Sequence, residues 1–422
     1  MYKRQIIKCK QVPLGVLDDS IRKQLEVEEI ESEGISEPII PANWHNWLFS
    51  TFDVECMMEK TVDGLGRPTS VHRLISIAVR NSFGDHQDYY IERESMDPYA
   101  VRQMMQEFVN HLTFSHAEML EFIPHSVKKG LKKYEEIVYS KEFKKLPVSR
   151  QAVARKKLQY LKECTNLKIF SWNGERYDNN ILWAPLLDIL QYTPEYFERM
   201  TIIRRGTGIM QFSFNSFVFR DFLNFSNPMS LDAFGKTCGV TSAEKTTYPY
   251  EYFSSMEELR ETTQFPPYPA FKSSLAKPVA NAAAELIKLI NENFQSGFWS
   301  TVDDIRKFFG CFEELEFDMV DGRVEKMQTT DGRKFEEVFH TSPVKYYNSR
   351  IIFDSSCKNM SDYLRVYNLN DTILLEACIK AYAKGFFEDW GYNIHTRMSL
   401  PGVSQGRFMI KFPYFCRPLL IL

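Results

Sequence analysis

With 422 residues, 44% hydrophobic and 25% charged, the chain has the composition of a globular protein with room for two or three domains, or one large domain with insertions. Its net charge of −3 excludes a global attraction to nucleic acid, so any such binding rests on a local patch. The eight cysteines, at 9, 56, 164, 238, 311, 357, 378 and 416, form no Cys-x-x-Cys and argue against a disulfide framework or zinc site.

That cysteine usage fits an intracellular, reduced protein, with nuclear and mitochondrial compartments both compatible. No apolar run reaches the ~18 residues of a membrane span, and the basic start Met1 to Lys8 has no long apolar core to act as a targeting segment.

Residues 1–45 read as a flexible arm, acid-rich from Glu26 to Glu37 and closed by Pro38 and Pro41. Phe49 to Cys56 then reads as a strand whose period of two places Asp53 and Glu55 on one face and Phe52, Val54 and Cys56 on the other. A turn with Gly64, Gly66 and Pro68 leads to a second strand, Leu74 to Arg80, and Tyr89 to Ile91 returns as a third. Apolar residues at 101, 104, 105, 108, 109 and 112 give helical spacing from Tyr99 to Leu112. Residues 128–157 hold eleven Lys or Arg against three Glu, an excess of 11 − 3 = 8. Such a run is a solvated helical surface, a nucleic-acid contact, or both.

Leu167 to Trp172 is the next strand, and the turn Asn173 to Asp178 passes into a helix through Ile181, Leu182, Leu186 and Leu190. Two aromatic-rich strands follow, Ile209 to Phe214 and Phe217 to Asp221, then a short helix from Pro228 to Cys238. Residues 253–360 read as an insertion, Ser- and Pro-rich to Pro278 and polar with two Asp-Gly pairs from Asp318 to Thr341. Ser361 is the expected N-cap of a closing helix from Asp362 to about Lys384. Strands alternating with helices predict an α/β layer fold with a mixed sheet.

Acids stand on three of these elements: Asp53 and Glu55 on the first strand, Asp178 at a strand-to-helix passage, Asp371 on the last helix. Asp53 and Glu55 form the only Asp-x-Glu of the chain, and Tyr367 with Asp371 the only Tyr-x-x-x-Asp. Two acids side by side repel, and divalent cations relieve that repulsion. Four carboxylates suit two metal ions ~4 Å apart that activate water on a phosphodiester, with a tyrosine one helical turn away to orient it. Taken singly, each acid has a plainer reading: a solvated edge strand, a helix cap, a surface acid.

The segments Phe-Asp-Val-Glu, Trp-Asn-Gly-Glu-Arg-Tyr-Asp and Tyr-Asn-Leu-Asn-Asp resemble the three exonuclease motifs of family B DNA polymerases. The protein-primed branch, found in viruses, linear plasmids and self-synthesising transposons, is closest. Phe219 to Phe225, Met229 to Gly235, Lys245 to Tyr252 and Ser399 to Ser404 also look like it, so the resemblance runs from about 47 to 410. It implies a ribonuclease-H-like 3′→5′ exonuclease fold spanning 46–252 and 361–390, and the start of a truncated polymerase half at 391–422.

The resemblance further implies Asp53, Glu55, Asp178 and Asp371 as ligands of two magnesium or manganese ions, Tyr367 as orienter of the water, and Lys245 as a catalytic lysine. Asn173 and Tyr177 would hold the 3′ end of single-stranded DNA, with Thr51 or Phe52 nearby. Phe222 and Leu223 fall where the branch contacts the strand, although a serine is expected at the first of the two. No palm motif of the Asp-Thr-Asp kind follows, and the chain ends 422 − 371 = 51 residues past Asp371. Polymerisation by this chain alone is therefore not expected. A terminal protein or a polymerase half in trans are the expected partners, and no membrane. The competing readings are a catalytically idle module binding single strands or a terminal protein, and an RNA-trimming exonuclease of the same fold.

Overall fold

The computed structural model describes residues 48–91, 98–193, 200–240, 246–273, 279, 281–390, 394–396 and 398–401. The N-terminal arm and most of 391–422 lie outside them. A seven-stranded mixed sheet organises the chain: β1 (Phe49–Val62), β2 (Pro68–Asn81), β3 (His86–Tyr90), β4 (Leu167–Ser171), β5 (Thr201–Arg205), β6 (Gly208–Phe214) and β7 (Phe217–Asp221). Their order is β3-β2-β1-β4-β7-β6-β5. The three central strands are parallel, β1 to β4 and β4 to β7, and both wings are antiparallel.

Burial follows this order. Every residue of β4 and β7 is buried, as central strands covered on both faces must be. The strand β5 is exposed throughout, so it shows no alternation, and the sequence reading did not find it. The hairpin of β1 and β2 runs past the sheet into solvent, closed by a turn in which the Asp63 carboxylate accepts from the Leu65 and Arg67 amides, both at 2.9 Å.

Helices cover both faces. On one lie α1 (Pro98–Glu121) and α4 (Asp178–Leu190), with α2 (His125–Tyr139) and α3 (Val148–Thr165) between them in sequence. Phe52 of β1 points to this side, edge-on to Phe219 at 5.5 Å, while Phe219 stacks on Phe212 at 4.3 Å and Phe108 of α1 closes the cluster. On the other face lie α5 (Leu231–Thr237) and the 31-residue α11 (Met360–Trp390). There Leu374, Leu375, Cys378, Ile379 and Ala383 pack with Phe49, Phe170, Phe222, Phe225 and Phe234. Each such buried ring contributes roughly 2–3 kcal/mol relative to an exposed one.

Between α5 and α11 the chain builds a helical layer: α6 (Met256–Glu261), α7 (Ala282–Ser296), α8 (Val302–Phe309), α9 (Phe335–Val338) and α10 (Pro343–Ser356), with the hairpin β8 (Leu315–Val320) and β9 (Arg323–Thr329). The first Asp-Gly pair makes the β8–β9 turn, with Asp321 at φ 49° and Gly322 at φ 75°, as a two-residue hairpin loop requires. Phe265 meets Tyr363 of α11 at 5.3 Å, and the apolar core here is continuous with that of the sheet.

Several boundaries differ from expectation. The closing helix starts at Met360, and its cap is Asn359, whose Oδ1 accepts from the Asp362 amide at 3.0 Å; Ser361 bonds Tyr90 instead, hydroxyl to hydroxyl at 2.9 Å. The helix at 99 continues to Glu121, and α5 begins after its Ser230 cap rather than at Pro228. In each case side-chain capping or tertiary burial set the end, which apolar periodicity does not record.

Candidate active site

The bond from Thr51 Oγ1 to the Thr372 carbonyl, at 3.1 Å, fixes which face of β1 looks at α11. By strand alternation Asp53 and Glu55 share that face, paired in register with Ala78 and Ser76 of β2. Glu55 is only 4% exposed and Asp53 is half-buried. A bulge at Glu55/Cys56 then breaks the ladder, and bulges re-aim the side chains beside them. Asn368 of α11 donates to Ser76 at 3.0 Å, so Tyr367, Asn368, Asp371 and Thr372 occupy the turn of helix that crosses these strands.

Tyr250 connects strand and helix. Its hydroxyl lies 3.4 Å from Glu55 Oε1 and 2.9 Å from the Tyr367 hydroxyl. One hydroxyl has one proton, so when Tyr250 donates to Glu55 it accepts from Tyr367. Tyr250 as a residue is 40% exposed, while its hydroxyl points inward to Glu55 and Tyr367. Burial first, then the charges of Glu55, Tyr367 and Asp371, hold that hydroxyl protonated far above the usual tyrosine range. Asp371 itself is 7% exposed, one helical turn beyond Tyr367.

Asp178 opens α4 and is 3% exposed. The turn before it is held by Asp221 at the end of β7, whose carboxylate accepts from the Asn173 amide at 3.0 Å, Glu175 at 3.1 Å and Leu223 at 2.9 Å. Burial raises the Asp221 pKa and these three amides pull against it. Asn173 sits at φ 65°, a left-handed conformation that Asn tolerates better than most residues. Tyr177 places its hydroxyl 2.9 Å from His72 Nδ1.

The three strand-side acids act on one thiol. Burial pushes Cys56 up to about 12, and the charges of Glu55, Asp178 and Asp53 add to this against a hydrogen bond to Tyr177. Burial likewise raises Tyr177, with contributions from Cys56, Glu55 and Asp178. So the charges of Glu55 and Asp178 reach both Cys56 and Tyr177, that of Asp53 reaches Cys56, and those of Glu55 and Asp371 both reach Tyr250. They do not close into a coordination cluster: among the described residues no group of three or more His, Cys, Asp and Glu is placed to hold a metal ion. In chemistry the four donors are all carboxylates, the hard oxygen set that magnesium and manganese take.

The other expected residues divide. Phe222 is fully buried among Phe170, Phe225 and Phe234 and offers no ring face to a base, which corrects its expected contact with a DNA strand. Leu223 is half-buried, with its amide on Asp221. Thr51 and Phe52 are fully buried, Phe52 on the far face of the sheet. Lys245 lies outside the described residues; three residues on, Tyr248 is buried against Tyr367 at 5.6 Å. Tyr250 and His72 were not among the expected site residues. Tyr250 does fall within the Lys245 to Tyr252 stretch singled out by sequence, and nothing local marks His72.

No family model, no curated protein and no solved structure matches this chain.

Proposed function

We propose that this chain is the metal-dependent 3′→5′ exonuclease part of a protein-primed family B DNA polymerase, with a ribonuclease-H-like fold, acting on single-stranded DNA ends. The observation that carries the reading is the chain of hydroxyls from Glu55 through Tyr250 to Tyr367, which joins the first and third motifs across 312 residues. Asp371 stands one turn away, and Asp178 shares the charged surroundings of Cys56 with Asp53 and Glu55.

Two divalent ions, magnesium or manganese, held by Asp53, Glu55, Asp178 and Asp371 would supply an activated water and neutralise charge on the scissile phosphate. The chain's own groups position the rest. Tyr367, with its proton placed by Tyr250, orients the attacking water by hydrogen bonding. Asn173 and Tyr177 receive the 3′ end, the Tyr177 hydroxyl being steadied by His72. Lys245, at the head of the segment that brings Tyr248 and Tyr250 to Tyr367, would stabilise the developing phosphate charge.

The test is degradation of a 5′-labelled single strand with magnesium, manganese or chelator, beside an Asp53→Ala/Glu55→Ala variant. A ladder shortening from the 3′ end, lost in chelator and in the variant, is the expected result. A folded parent that degrades nothing refutes the nuclease. A second reading, a module that grips single strands or a terminal protein without turnover, draws on the spread of the acids among the described residues. Binding that survives Asp53→Ala, with no cleavage by either protein, would favour it.

A further inference from the structure

A second charged feature stands apart from the acids. Helices α2 and α3, with the 3-10 turn Lys141–Lys145 between them, carry the basic run 128–157. The hairpin is a basic shell on an apolar spine. Val127, Gly130 and Tyr134 of α2 and Ala154, Leu158 and Leu161 of α3 are buried, whereas Lys128, Lys129, Lys132, Lys144, Lys145 and Arg150 are exposed. The ion pairs beside them, Lys162 with Glu135 and Lys168 with Glu163, use none of these six.

Such a run is ordinarily just solvated helix surface. Two observations go further. Tyr139 and Tyr160 are 71% and 42% exposed, and Lys162 Nζ sits 5.4 Å from the centre of the Tyr139 ring. A cleft of about 270 Å³ also opens here, lined by Tyr139, Arg155, Gln159, Lys162 and Asn166 together with Leu158 and Glu163, whose carboxylate is paired with Lys168 at 2.8 Å. One ring, the Arg155 guanidinium and two carboxamides, with the Lys162 ammonium shared with Glu135, complement an unstacked nucleotide: the ring stacks on the base, Arg155 meets phosphate, and the amides meet base edges. An acidic peptide would use the cations but leave ring and amides idle.

Position separates this surface from the acids. Helix α3 runs into β4 at Leu167, and Asp178 lies beyond the other end of that strand. Five residues of strand span about 15 Å. We propose that the α2–α3 hairpin is a second, non-catalytic docking surface for single-stranded DNA, with one base in the Tyr139–Lys162 cleft and the backbone over the exposed lysines. The choice of DNA rests on the nuclease reading; the surface itself does not.

The experiment is fluorescence anisotropy of a labelled oligo(dT) of about 20 nucleotides on the full chain, in chelator, as a function of salt. Lys128→Ala/Lys129→Ala/Lys132→Ala/Lys144→Ala should weaken binding about tenfold at low salt and flatten the log–log salt slope by up to about 3, near 0.7 per lost phosphate contact. Tyr139→Ala/Arg155→Ala should weaken it by about tenfold, mostly through lost stacking, with the slope falling only by about 0.7 for the one lost cation. Glutamine at the same four lysine positions replaces any alanine set that melts early.

Unchanged affinity in both hairpin variants would overturn the proposal. So would duplex DNA, RNA or poly-glutamate binding the hairpin as tightly as oligo(dT). Hairpin-dependent binding by a parent that cleaves nothing would sink the nuclease reading and leave the docking surface standing.

Discussion

Replacing Gly174 by alanine probes the turn that delivers Asn173, Tyr177 and Asp178. A Cβ at 174 would lie 1.8 Å from Ser171 Oγ, 3.0 Å from Ser171 Cβ and 3.4 Å from Asn179 Oδ1. Ser171 is fully buried at the end of β4, so its hydroxyl has no open space to swing into, and it finds no hydrogen-bond partner among the described residues. The turn cannot yield easily either, being held by two amide bonds to Asp221. Overpacking of this kind costs about 1–3 kcal/mol, and the 1.8 Å contact puts Gly174→Ala near 2 kcal/mol. Ser171→Ala removes a buried, unpartnered hydroxyl and should be close to neutral. In that background the severe contact is gone and only the 3.0 Å one remains, so Gly174→Ala should cost less than about 1 kcal/mol. Urea denaturation of the four proteins in a double-mutant cycle measures this directly. An equal cost for Gly174→Ala in both backgrounds would refute the steric argument and place the glycine's role in backbone conformation instead.

Phe222→Ala should destabilise by roughly 3–5 kcal/mol, as a fully buried ring does; a stable variant with weakened single-strand binding would mean that the ring is a contact after all. Tyr250→Phe removes the hydroxyl between Glu55 and Tyr367, so nuclease turnover should fall by about tenfold, the worth of one lost hydrogen bond, with little change in melting temperature. Unchanged turnover would leave Tyr250 a packing residue. Lys168 is buried, and that burial pulls its pKa down to about 8 against the attraction of Glu163. Between about pH 8 and 10.5 the unfolded chain therefore binds more protons at this site, and its contribution to stability rises with pH. Relative to Lys168→Met, the parent should gain about 3 kcal/mol across that window, and a difference that stays flat with pH would refute the assignment.

The alternation of Phe49 to Cys56 made both the strand and the shared face of Asp53 and Glu55 legible, because backbone geometry alone sets that period. The same holds for Tyr367 and Asp371, four apart on a helix, and for the passage from β4 through Asn173 to α4. Other features carried no local signal. The exposed strand β5 has no buried face to alternate. Phe222 reads like any aromatic that touches a strand, and only its neighbours from β4, α5 and α11 make it core. The interval 253–360 read only as an insertion, because several of its elements are short, capped by Ser and Thr side chains such as Ser255, Thr301 and Ser342, and set among Ser- and Pro-rich stretches.

The sequence by itself determined the α/β class, the central strands, the acid-bearing elements and the basic run, since each rests on periodicity or charge within a dozen or so neighbours. The tertiary structure decided which side chains meet around the acids. Tyr250 reaches Glu55 and Tyr367, His72 reaches Tyr177, and Asp221 pins the turn before Asp178 through contacts 105 to 195 residues apart in two of these cases and 46 to 48 in the last. Such contacts depend on how the layers pack, and no local pattern encodes which layer a side chain will face.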